Sequence, residues 1–180
     1  MNKAFAQTTI RERKSSEYGM PLSLFHTLRS IFHFGYYPCP LKGEEGRLGL
    51  VWGFHNGLTT DWDWNTFINP PFGTKKGEKV GDWIRKMQVE SSKYMKCVYV
   101  MLLPTRLESN WFQDLIWADG QSQVYVMRGR LKFYSPKNNP KNNPHPIGSM
   151  LVFRSHSILD TQFRLLEKNV PGIWIKGGEY

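Results

Sequence analysis

A chain of 180 residues, 40% hydrophobic and 14% aromatic, can build one substantial core but not several. Its net charge of +9 favours a polyanionic partner, and no apolar run nears the roughly 20 residues that span a bilayer. Two distant cysteines, Cys39 and Cys97, exclude a disulfide framework and suit a reducing compartment such as the cytoplasm.

Residues 1–16 read as a mobile polar arm without a signal-peptide core, and residues 17–180 as a single domain. Pro21 opens a helix to about His33, because proline suits a first helical turn. Leu24, Phe25, Leu28, Ile31 and Phe32 give that helix one apolar face. His26 and His33 read as structural or surface residues, and no metal site is expected. Phe34 to Tyr37 is a short strand ended by Pro38 and Pro40, and Leu50 to Phe54 a second. Asp61 and Asp63, between Trp62 and Trp64, are either polar contacts to a cofactor or plain loop acids, and the second reading is favoured.

Thr66 to Ile68 is a third strand, which must stop at Pro70 and Pro71 because neither can donate to a ladder. Gly73 to Gly81 reads as a flexible lid, and Asp82 to Tyr94 as a helix with Trp83, Ile84 and Met87 inward. Cys97 to Leu103 is a continuous apolar run, suited to a sheet centre buried on both faces. Ser109 to Ala118 is a helix, and Val124 to Met127 with Leu131 to Tyr134 a hairpin turning through Arg128-Gly129-Arg130. The Pro136 to Pro146 segment, with Lys-Asn-Asn-Pro in tandem, is a loop. Met150 to Phe153, a helix over Ile158 to Lys168 and a last strand near Ile173 complete the chain. Strands alternating with helices predict a three-layer, Rossmann-like α/β fold with a mixed, mostly parallel sheet, its antiparallel pairs among the later strands.

The chemistry concentrates at Asn69-Pro70-Pro71-Phe72. An exocyclic amine on a planar base is a poor nucleophile because its lone pair is delocalised into the ring. Two acceptors on its hydrogens favour a more pyramidal nitrogen, and the Asn69 carboxamide with the Pro70 carbonyl offers both. Phe72 suits stacking on a base drawn out of its helix. The competing reading is a proline-stiffened corner with a packed phenylalanine. Lys75, Lys76 and Lys79 follow this turn, and Arg128, Arg130 and Lys132 cluster further on. These six are the candidate phosphate contacts.

The turn resembles the amino-methyltransferase signature Asn/Asp-Pro-Pro-Tyr/Phe. More closely, the chain resembles the phage DNA N6-adenine methyltransferase (Dam) family over roughly Glu17 to Arg154. The likeness rests on Glu17-Tyr18-Gly19-Met20-Pro21, Tyr37-Pro38-Cys39-Pro40, the Asn69 tetrapeptide followed by Trp83, and Leu103-Pro104-Thr105-Arg106 with Trp111-Phe112. Gly129 to Phe133 and Ser149 to Phe153 also fit. It implies methylation of adenine in double-stranded DNA from S-adenosylmethionine, by a monomer or weak dimer in the cytoplasm of a phage's bacterial host. Tyr18, Pro21, Tyr37, Pro38 and Asn69 would border the cofactor. The chain carries Tyr37 where the family has Asp, and Met20 where it has Thr. Two alternatives stand beside this reading: a methyltransferase-like protein that only binds nucleic acid, and the same chemistry on RNA or protein.

Overall fold

A computed structural model describes residues 19–39, 51–52, 57–71, 79–133 and 146–175. Helix α1 (Leu22–Phe32) ends at His33, whose left-handed backbone (φ 53°) returns its N–H to the Arg29 carbonyl. Strands β1 (Tyr36–Tyr37), β2 (Val51–Trp52) and β3 (Thr66–Ile68) follow. Then come α2 (Val80–Lys93), β4 (Tyr99–Pro104), and α3 (Asn110–Phe112) running into a π-helical segment, Gln113–Trp117. β5 (Gln123–Met127), β6 (Ser149–Arg154), α4 (Asp160–Asn169) and β7 (Gly172–Ile175) close the fold.

The seven strands form one sheet in the order β2-β1-β3-β4-β6-β5-β7. The pairs β1–β2, β1–β3 and β3–β4 are parallel, and β4–β6, β5–β6 and β5–β7 are antiparallel. The expectation of a mostly parallel sheet is therefore wrong. The antiparallel ladders are also the longer ones, led by six residue pairs between β4 and β6. A parallel return needs a crossover connection, usually a helix. The sequence between β5 and β6, with prolines at 136, 140, 144 and 146, is a poor helix former, in keeping with the antiparallel return of β6 beside β4.

Helices cover both faces. On one, Phe25, Leu28, Ile31 and Phe32 of α1 and Leu166 of α4 pack with Tyr37, Phe67, Val100, Leu102, Leu151 and Phe153. On the other, Trp83, Ile84 and Met87 of α2, with Phe112 and Ile116, pack on Tyr36, Ile68, Tyr99, Met101, Leu103 and Val152. Strand alternation sorts these sets. Residues 98–103 of the predicted central strand are all buried, and each large apolar side chain there contributes about 1.5–3 kcal/mol.

Polar pins hold the amino edge of the parallel strands. The Asn65 amide donates to the Phe32 carbonyl at 2.9 Å, and its oxygen accepts the Val98 N–H at 2.9 Å. Buried Arg154 meets Asp119 at 2.5 Å and donates to Ser91 and Gln121. In the π segment the Ala118 N–H bonds the Gln113 carbonyl at 3.0 Å, and Gln88 of α2 donates to the Leu115 carbonyl at 2.6 Å, satisfying one acceptor of the last turn.

Two local expectations change. α2 begins at Val80, so the end of the expected lid is helical; residues 73–78 of it lie outside the described residues, as does the expected arm. Leu131 to Phe133 is not a strand. Arg128 donates its N–H to the Pro171 carbonyl, and β7 takes the β5 edge that a hairpin partner needs.

Candidate active site and nucleic-acid interface

β1, β3, β4 and β5 run in one direction, so their carboxyl ends share one edge of the sheet. From β1 the chain goes outward to β2, and from β3 it goes the other way to β4. Strand order thus reverses between β1 and β3, and the crevice outside such a switch point is where open α/β sheets bind ligands. Asn69 stands there. β3 stops at Ile68 because two prolines follow, and Asn69 is the next residue, 6% exposed. Pro70 is buried and Pro71 half-buried beside it.

Other predicted residues reach the same edge. Pro21 is the N-cap of α1, which runs antiparallel to β1 and so begins over this edge. Among the described residues no side chain caps that helix and no acid lies in its first turn, a terminus whose partial positive charge favours an anion. Pro38 follows β1 directly, and its carbonyl lies so close to Gly57 that a Cβ there would sit 2.3 Å from the oxygen. Glycine alone fits that approach. Tyr37 differs: it is fully buried, its ring 5.8 Å from that of Phe67, in the same apolar cluster as Met20. Tyr18, Phe72, Lys75 and Lys76 lie outside the described residues.

Lys79 immediately precedes α2, and Arg128, Arg130 and Lys132 emerge past the end of β5, all at this edge and none in an ion pair among the described residues. Gly129 takes a left-handed φ of 83° that lets the chain turn between the two arginines. At the opposite edge two cations are paired, Lys93 with Asp61 at 2.6 Å and Arg154 with Asp119, while Lys96 is exposed.

The sequence profile of the DNA N-6-adenine-methyltransferase (Dam) family matches residues 7–168, nearly the whole chain. This chain belongs to the Dam family. As a Dam protein it is an S-adenosylmethionine-dependent, adenine-specific DNA methyltransferase. No curated protein matches it. Groups of three or more His, Cys, Asp or Glu able to hold a metal are absent among the described residues, and no helix there is long and apolar enough to cross a membrane.

The described edge of this Dam protein fits the family's cofactor in its donor chemistry. The uncapped α1 N-terminus suits the carboxylate of an amino-acid moiety, and the Asn69 carboxamide offers both a donor and an acceptor. At Tyr37 the backbone reaches the edge while the side chain packs into the core. Asp61 and Asp63 take the plain loop role, for they precede β3 and lie at the amino edge. Asp61 accepts from Lys93 and from the Tyr94 hydroxyl, and these bonds, the lysine's first, hold its carboxyl below the usual range.

Thr105 and Arg106, which follow the plainest strand in the sequence, also stand at this edge and were not among the residues read as candidates. In an open sheet the first residues past a central strand's carboxyl end are the signal. Thr105 donates its N–H to the Gly148 carbonyl at 2.9 Å. Its hydroxyl oxygen is buried without a hydrogen-bond partner among the described residues, as is the Trp83 indole N–H in the first turn of α2.

Proposed function

We propose that the Asn69 turn is the place of methyl transfer. The observation that carries this reading is a buried carboxamide at the end of β3, where the strand order reverses. The target adenine is flipped out of the duplex, and the Asn69 oxygen and the Pro70 carbonyl accept its amino hydrogens. Pro71 holds the turn, and Phe72 stacks on the base. S-adenosylmethionine supplies an electrophilic methyl group. Transfer of that methyl would break its bond to sulfur, leave a neutral thioether and put positive charge on the amino nitrogen; the Asn69 oxygen and Pro70 carbonyl stabilise the charged N–H groups until one proton passes to water. No proton need leave first, so no strong base is required at the site.

Tyr18, Pro21, Pro38 and Asn69 border the cofactor, with Tyr37 contributing backbone at the edge and a ring beneath it. Lys75, Lys76, Lys79, Arg128, Arg130 and Lys132 meet phosphates of double-stranded DNA. Residues 17–180 act as one domain, as a monomer or weak dimer, in the cytoplasm of a phage's bacterial host.

Long-read sequencing of bacterial DNA, with and without this protein expressed, tests the reading. N6-methyladenine confined to one sequence context is expected, and it should vanish with Asn69→Ala. Folded, expressed protein that leaves the DNA unmodified would overturn it.

A further inference from the structure

Arg106 lies in a loop of the carboxyl edge that several hydrogen bonds brace. The Thr105 N–H is bonded to the Gly148 carbonyl and the Arg106 N–H to the Pro104 carbonyl, each at 2.9 Å. The Arg106 carbonyl accepts twice from Ser109, from its N–H at 3.1 Å and its hydroxyl at 2.6 Å. Gln113 then donates to the Leu107 carbonyl at 3.3 Å. Backbone ordered to this degree holds one exposed guanidinium that has no ion pair or hydrogen bond of its own among the described residues.

The placement is specific. Ile68 of β3 is level with Met101 of β4, so Asn69 is level with Leu102 on the neighbouring strand. Arg106 therefore stands four residues past the level of Asn69, at most about 14 Å away at about 3.3 Å per residue and 4.8 Å between strands. An extended arginine side chain covers about half of that distance. A planar, permanently charged fork with five donors suits a phosphate better than solvent when its backbone is already fixed.

We propose that Arg106 is a positioning residue that grips a backbone phosphate beside the target nucleotide. This rests on the methyl-transfer reading of the Asn69 turn. It gives the flipped strand a fixed point on the strand next to β3.

The test is binding of a fluorescein-labelled, mixed-sequence DNA duplex across a salt series, by anisotropy, together with steady-state methylation. Arg106→Gln is compared with Arg106→Lys and with Lys96→Gln, an exposed cation at the opposite edge. Arg106→Gln should lower the salt slope by about one unit and raise KM for DNA, leaving thermal unfolding unchanged. Arg106→Lys should restore the slope but only part of the methylation rate, since a point charge cannot replace the fork. Lys96→Gln should change neither. Equal effects of Arg106→Gln and Lys96→Gln would overturn the assignment while sparing the Asn69 reading. A wild-type protein that binds no duplex would overturn both.

Discussion

The backbone N–H of Trp62 donates to the carboxylate of Glu90 at 2.8 Å, beneath α2, where Glu90 is only 1% exposed. The other carboxylate oxygen meets Lys86 at 2.6 Å. One acid thus ties the chain before β3 to the helix that follows it. Removing one partner of a buried pair leaves the others unsatisfied, typically costing about 3–5 kcal/mol. Glu90→Ala should lose stability of that order in urea denaturation. Glu90→Gln should lose less, because its amide oxygen can still accept from Trp62.

Asn69→Ala should lower turnover about 10²–10³-fold, the usual cost of removing a polar group that acts in the transition state. Its denaturation midpoint and duplex salt slope should stay near wild type, since the residue ends a strand and carries no charge. Single-turnover methylation beside a binding titration checks this. Near-normal turnover would exclude the assigned role.

Arg128 and Arg130 flank a left-handed glycine with open space around it. Replacing both with Gln should remove about two phosphate contacts, and about two units of salt slope, without altering the sequence context of methylation. Filter binding across a salt series together with sequencing of modified DNA reads both. A changed context with an unchanged slope would make them base readers.

Three buried tyrosines resist ionisation chiefly because of burial: Tyr36, Tyr99 and Tyr125 all have pKa values pushed above the ordinary phenol range. Their hydroxyls bond Thr60, the Trp62 carbonyl and the Val170 carbonyl. A raised folded pKa gives stability that is complete below the unfolded value of about 10 and lost as pH climbs above it. Alkaline unfolding is therefore expected, with tyrosinate absorbance and loss of circular dichroism rising together. Tyr99→Phe should lower stability at neutral pH, by leaving the Trp62 carbonyl without its donor, and soften the alkaline transition.

What the sequence revealed was local. Residues 98–103 are apolar throughout and could only be central, and two prolines after Ile68 could only end a strand. Neighbours in the sheet are a matter of remote pairing. Leu131 to Tyr134 has the composition of a strand, yet β7 binds the edge it would need. The sheet's direction failed for the same reason, since it depends on where β6 inserts. Tyr37 shows a finer limit: its position at a strand end was readable, but which face its ring took depended on the exact register with Phe67. Arg106 was overlooked because nothing local separates a braced arginine from a solvated one.

Lys79, Arg128 and Arg130 at the carboxyl edge, set against the paired Lys93 and Arg154 at the other, bias how the described part of the molecule turns in the field of a nucleic acid before any contact forms. An encounter that begins with the carboxyl edge facing the duplex wastes fewer collisions on wrong orientations. Added salt should slow association more than it speeds release, and a search along DNA would proceed with the same edge inward throughout.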